Sequence, residues 1–223
     1  MIPKVKKILD ITQILYSECP TSPASRPPVF YEEQSFYRDG FVGERINMNV
    51  HTSTHMDAPR HFIENGEAID QLGTWRLQGR AVVADLRKIG ASPVTGEHLL
   101  PMETVVRKGD WLILYTGWSR EYGKTNRYVM DYPYISVSAA EWIADHALNG
   151  VCTDGLSAGG TPEGTGFPPH HIILGAGIII VEEVKLDDRI LEEPEWYLTA
   201  YPLRLKDFGG SPARVTVCTF EDI

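Results

Sequence analysis

The run His51-Thr52-Ser53-Thr54-His55-Met56-Asp57-Ala58-Pro59-Arg60-His61 constrains this chain more than any other stretch. It holds three of the seven histidines, together with an aspartate. Histidine and carboxylate are the usual ligands of zinc and similar ions in catalytic sites. In a straight strand His51 and His55 would stand about 13 Å apart, at roughly 3.3 Å per residue. Ligands of one ion approach within roughly 4 Å of each other, because each metal–nitrogen bond is about 2 Å. If both bind one ion, the chain must bend between them, and Thr52, Ser53 and Thr54 are small enough to allow it. Pro59 then discourages a long helix. Residues 44–52 alternate, with Ile46, Met48 and Val50 on one face, so the expectation is a compact ligand loop at a strand end.

Three protein ligands, His51, His55 and Asp57, leave a coordination position for water, whose pKa falls to about 7 on zinc. The donor set suits zinc first, with manganese as the alternative. Two roles are open to His61: a fourth ligand, or a general acid/base. The second is preferred, because a closed four-ligand site would be structural rather than catalytic.

Further strands are expected at 5–12, 80–86, 110–116, 150–154, 177–183, 196–205 and 214–220. Helices are fewer. Ser138 to Glu141 reads as a capping box opening a helix to about residue 148, ended by Gly150. Thr95 to Leu100 and Pro169 to Leu174 read as short helices. Pro20, Pro23, Pro27 and Pro28 interrupt regular structure over 19–30. The aromatics after them, Phe30, Tyr31, Phe36 and Tyr37, read either as a flap over a site or as a surface loop burying its own rings. The expected fold is a single α/β domain over 1–223 with a mostly β core.

A formal charge of −9, with no basic cluster beyond Lys4, Lys6 and Lys7, excludes the positive face that nucleic acid binding needs. Cys19, Cys152 and Cys218 are isolated, which argues against a thiolate zinc site and for a reducing compartment. The most apolar stretch, 172–181, is about half the length of a membrane span. These readings point to a cytoplasmic protein with a small-molecule substrate and no nucleic acid or membrane partner.

Other residues are candidates on position alone. Asp154 and Ser157 follow a strand end, where α/β proteins often place ligands, and a substrate role competes there with a simple turn. Trp118 reads as a pocket wall or, more commonly, as core. His170 and His171 are neighbours, so on a helix only one can face a site. His98 and His146 read as structural, and Glu183 is expected to face solvent.

The histidine run resembles the H-x-G-T-H-x-D-x-P-x-H signature of the metal-dependent cyclase-family hydrolases, which include bacterial kynurenine formamidase and isatin hydrolase. Ser53 stands where the signature has glycine. Tyr115-Thr116-Gly117-Trp118 resembles that family's T-G-W strand end, and the segment from Pro169 to Glu182 resembles its C-terminal H…(I/V)-E element. The resemblance implies a swivelling β/β/α-type fold, usually as a homodimer. It implies that His51, His55 and Asp57 hold one cation, that Asp57 bridges to a second held with His170 and Glu182, and that His61 is the acid/base. One or two ions per chain are consistent with it. The family's D-x-x-S-x-D element is incomplete here, since Gly159 occupies its last position. The activity implied is hydrolysis of a small aromatic amide, either an N-formyl anilide or a cyclic amide. A cyclase or dehydratase, and a non-catalytic metal-binding module, are the competing readings.

Overall fold

The computed structural model describes residues 3–221. Ten strands run β1 (Val5–Asp10), β2 (Val29–Gln34), β3 (Gly43–Asn47), β4 (His55–Asp57), β5 (Gln78–Asp85), β6 (Trp111–Tyr115), β7 (Gly150–Thr153), β8 (Ile179–Glu182), β9 (Trp196–Pro202) and β10 (Gly210–Phe220). The α-helices are α1 (Phe36–Asp39), α2 (Gly96–Leu99), α3 (Arg127–Met130), α4 (Val137–Asp145) and α5 (Pro168–Gly175).

Strands β5, β6, β7 and β8 lie parallel in that order, and β4 and β9 flank them antiparallel. The long strand β10 pairs with β4 through its first residues and with β9 through its middle, which closes a seven-stranded barrel. Strand β1 adds to the outer part of β10.

Why β6 reads as an unbroken apolar run is clear from its two faces. Trp111, Ile113 and Tyr115 join the layer inside the barrel, with Met56, Val181, Leu198 and Val217. Leu112 and Leu114 face outward, into a layer shared with Ile143 of α4 and Ile173 and Leu174 of α5. A parallel strand covered on both faces loses the apolar–polar alternation of a half-exposed one. The result is a mixed α/β fold with a mostly β core.

Several local expectations change. The alternation at Ile46, Met48 and Val50 does not mark a barrel strand: β3 ends at Asn47, pairs only with β2, and leaves Ile46 exposed. The strand that enters the barrel is β4, three residues whose polar sequence hides it. The aromatics on β2 and α1 neither flap over the site nor bury themselves, since Phe30, Tyr31, Phe36 and Tyr37 are all exposed. Helix α4 is capped by Ser136, whose hydroxyl accepts from the Ala139 N–H, rather than by Ser138. The Ser138 hydroxyl instead accepts from the Gly96 N–H. The helix stops at Asp145, two residues before Ala147 takes a left-handed φ of 47°. A capping box does occur at α2, where Thr95 and His98 satisfy each other.

Candidate metal centre

Strand β4 explains the spacing of the histidine run. His55 and Asp57 are two residues apart on an extended strand and share a face, while Met56 between them points into the barrel core. The antiparallel register places His55 directly opposite Glu182 of β8. The chain reaches β4 through a bend at Ser53, whose φ is 57°. That is the left-handed region glycine prefers, which accounts physically for a glycine at this point in the signature. The bend came where the three small residues allowed it, but before a strand rather than after one.

Four imidazoles and two carboxylates converge here. His55 Nδ1 donates to the Ser53 carbonyl at 2.8 Å, so in the neutral ring Nε2 carries the lone pair. That Nε2 faces Asp57 Oδ1 at 3.4 Å and Glu182 Oε2 at 3.3 Å. His170 repeats the device from α5. Its Nδ1 lies 2.9 Å from the Gly166 carbonyl, and its Nε2 faces Glu182 Oε1 at 3.1 Å and Asp57 Oδ2 at 4.0 Å. His51 Nδ1 lies 2.7 Å from Asp57 Oδ1. Backbone carbonyls that fix the tautomer behind a ligand imidazole are the usual outer shell of a metal site.

Lone pairs aimed at carboxylate oxygens repel unless a proton or a metal cation lies between them. His55 Nε2 and Asp57 Oδ2 are both buried without a hydrogen-bond partner among the described residues. Separations of 3.3–3.4 Å match the spacing of two ligands on a tetrahedral ion with bonds of about 2 Å. Donor atoms fall into two sets, each within 4.8 Å: His51, Asp57 and His61, and His55, Asp57 and Glu182. Asp57 belongs to both. These residues fit a divalent cation, and they would hold it through imidazole nitrogen and carboxylate oxygen. The grouping sets His55 with Glu182 rather than with His51.

Protonation follows from the same contacts. Burial penalises a charged His55, yet the Asp57 and Glu182 carboxylates beside it hold its pKa well above the usual imidazole value. Burial and the Asp57 charge push Glu182 up, but His170 and His55 prevail and leave it at about 2. His61 behaves differently. Its ring stacks on His51 at 3.8 Å and meets Phe62 edge-on at 4.6 Å. Desolvation by these neighbours lowers its pKa to about 4. At neutral pH His61 is therefore an uncharged proton acceptor.

His170 faces the centre and His171 faces solvent, as expected for neighbours on a helix. Ser157 donates to Glu182 Oε1 at 3.1 Å and lines the cavity. Trp118 and Asp154, taken from sequence as substrate contacts, do not reach the cavity. The Trp118 indole is buried and donates to the Tyr128 carbonyl. Asp154 is fully buried and accepts from the Thr116 N–H and hydroxyl. Burial raises the Asp154 pKa to about 6 despite those bonds.

Glu183 is a clear reversal. It is buried, not solvent-facing, because β8 ends at Glu182 and the next residue turns inward at a φ of 57°. The Tyr128 hydroxyl donates to it at 2.9 Å, and burial raises its pKa to about 8. Its carbonyl accepts from the Thr54 hydroxyl, which ties the ligand bend to the end of β8. Sequence reading also passed over Phe62, stacked on His170 at 4.4 Å, and Gly209-Gly210, which lie against His61 and His51. The tandem glycines before a strand were a legible signal of close backbone approach.

The centre forms one end of a cavity of about 350 Å³. The family model "Cyclase: Putative cyclase" matches residues 9–159, about two thirds of the chain. The chain belongs to the Cyclase family. It is 28% identical over 218 residues to a kynurenine formamidase of Bacillus cereus (strain ZK / E33L), spanning 96% of this chain and 98% of that one. The kynurenine formamidase of Bacillus anthracis matches at the same identity and coverage. Among solved structures, a "predicted metal-dependent hydrolase" from Bacillus stearothermophilus superposes with a TM-score of 0.78 at 28% identity, over 95% of this chain and 98% of that one. Isatin hydrolase A from Labrenzia aggregata shares the fold, with a TM-score of 0.85 at 24% identity, over 96% and 94% of the two chains.

Proposed function

We propose that this chain is a metal-dependent hydrolase that opens the C–N bond of an aromatic amide, of the arylformamidase type that converts N-formylkynurenine to kynurenine and formate, or of a cyclic-amide-opening type. The observation that carries the reading is the convergence of His55 and His170 Nε2, each with its Nδ1 held by a backbone carbonyl, on the Asp57 and Glu182 carboxylates. A divalent cation suits that donor set, and the similarity to kynurenine formamidases supplies the substrate class. We take zinc as the ion, with manganese as the alternative and one or two per chain.

When bound, such a cation supplies Lewis acidity, acidifying a water and polarising a carbonyl. Asp57, His55, Glu182, His170 and His51 would be its ligands. Ser157 holds Glu182 in place through its hydroxyl. His61, uncharged at neutral pH, takes the proton of the attacking water and returns it to the departing nitrogen. An anilide nitrogen departs more readily than an alkyl amine, which suits an aromatic amide.

We also propose that the whole chain acts as one domain of the swivelling β/β/α type, as a homodimer in the cytoplasm. No helix among the described residues is long and apolar enough to cross a membrane.

Elemental analysis of the purified protein, paired with assays of N-formyl anilides and cyclic amides in ¹⁸O-labelled water, tests the function. Bound divalent metal and ¹⁸O in the acid product are expected. Turnover without ¹⁸O incorporation would point to a cyclase or dehydratase, and metal without turnover to a binding module.

A further inference from the structure

The bend that delivers His55 is fastened from outside the cavity. Ser53 is buried, and its carbonyl accepts the His55 Nδ1 proton at 2.8 Å. The peptide plane carrying that carbonyl joins Ser53 to Thr54, and distant segments hold both side chains. The Thr54 hydroxyl donates to the Glu183 carbonyl at 2.6 Å and accepts from the Gln13 N–H at 2.8 Å. Among the described residues the Ser53 hydroxyl has one partner, the Tyr122 hydroxyl at 3.1 Å.

Tyr122 is firmly placed to make that bond. Its ring meets Tyr16 edge-on at 6.3 Å and Tyr128 edge-on at 5.2 Å. Its hydroxyl also lies 3.3 Å from the Ile14 carbonyl and within hydrogen-bond reach of the buried Cys19 thiol. Tyr122 does not line the cavity, so it acts on the metal centre only through the bend.

The conformation of Ser53 makes this bond matter. At a φ of 57° a residue with a Cβ is under strain. Left untethered, the serine gains by relaxing out of that region, and its carbonyl then swings away from His55 Nδ1. An imidazole without its backing carbonyl loses both its fixed tautomer and its ring orientation.

Resting on the metal-centre reading, we propose that Tyr122 is a positioning residue: through the Ser53 hydroxyl it holds the strained bend in the form that sets the Ser53 carbonyl behind His55. A hydrogen bond does here what conformational freedom does for a glycine.

A double-mutant cycle separates this role from plain packing. Tyr122→Phe, Ser53→Ala and the double variant are titrated with Zn²⁺ against a chelator. Spectra of the ¹⁵N-histidine-labelled, metal-free proteins follow the His55 Nδ1–H, assigned by its loss in His55→Gln. Tyr122→Phe keeps the ring contacts and removes the hydroxyl. It is expected to weaken Zn²⁺ binding by about tenfold and to speed solvent exchange of the His55 Nδ1–H. In the Ser53→Ala background the same change is expected to alter affinity by less than about twofold, because the partner is gone. Lost contacts to Ile14 and Cys19 are common to both backgrounds and cancel. Ser53→Gly is the second background should Ser53→Ala not fold. Equal losses of affinity in both backgrounds, or no loss in either, would overturn the proposal. A parent chain that binds no Zn²⁺, with the His55 signal still responding to Tyr122→Phe only where Ser53 is intact, would sink the metal reading and support the positioning role. If that signal did not respond either, both would fall.

Discussion

Replacing Gly210 by alanine perturbs the candidate metal centre without replacing any of the proposed ligands. Gly210 pairs with Asp57 across the β10–β4 ladder. A Cβ there would overlap His51 Cε1, and would lie 2.8 Å from the Met56 carbonyl and 3.0 Å from His51 Nδ1. The φ of Gly210 is not in the left-handed region, so alanine costs nothing in backbone conformation and the effect is steric alone. One neighbour is a ladder carbonyl that cannot rotate away, so His51 must move or β10 must separate from β4. Overpacking of this kind costs about 1–3 kcal/mol. At roughly 2–4 °C per kcal/mol for a chain of this size, the melting temperature should fall by about 2–12 °C. Displaced support behind ligands typically lowers metal affinity by about 10–100-fold. Thermal melts and a chelator-competition titration measure both effects. Gly175→Ala is the control, because its Cβ meets only Ile63 Cδ1 at an ordinary 3.6 Å. If Gly210→Ala matched the parent in melting and in metal affinity while Gly175→Ala did too, the claim that glycine is needed for this approach would be refuted.

Other perturbations follow from the same geometry. His61→Ala should lower kcat by about 10²–10⁴-fold with metal content nearly unchanged, as mass spectrometry of the native protein would show; an emptied site would instead make His61 a ligand. Removing divalent metal by chelation should lower the melting temperature by roughly 5–10 °C, since a ligand at a hundred times its Kd stabilises by about 2.7 kcal/mol; an unchanged melt would argue against the buried donor set as a cation site. Asp154 keeps its proton in the fold up to about pH 6, against 3.8 for the free group. Stability from this residue is therefore greatest in acid and declines as pH rises from about 4 to 6, by up to roughly 3 kcal/mol. Asp154→Asn, whose amide oxygen still accepts from Thr116, should flatten that decline and melt higher than the parent at pH 7–8 but not at pH 4. Glu183→Gln should keep the Tyr128 contact and the metal affinity at neutral pH, whereas Glu183→Ala should weaken metal binding; equal behaviour of the two variants in titration would deny Glu183 a positioning role.

Much of the site was legible because its chemistry is local. Three histidines and an aspartate in one short run, small residues at the bend, and proline beyond it specify donors and a turn without reference to the rest of the chain. The apolar runs at β5, β6, β7 and β8 were equally plain, since strands covered on both faces show continuous apolar residues. Strand β4 was not legible, because three residues reading His-Met-Asp carry no strand period. Glu183 was misjudged because the reversal that buries it depends on a left-handed φ just past a strand end, and a glutamate gives no sign of that.

The amino-acid order alone therefore decided which atoms are able to bind a cation and where the backbone must turn. Tertiary structure decided which of those atoms meet. The β4–β8 register set His55 against Glu182 across more than a hundred residues of sequence, and α5 brought His170 to the same two carboxylates. Long-range register is fixed by burying the faces of many strands at once, and no short window of residues contains that information.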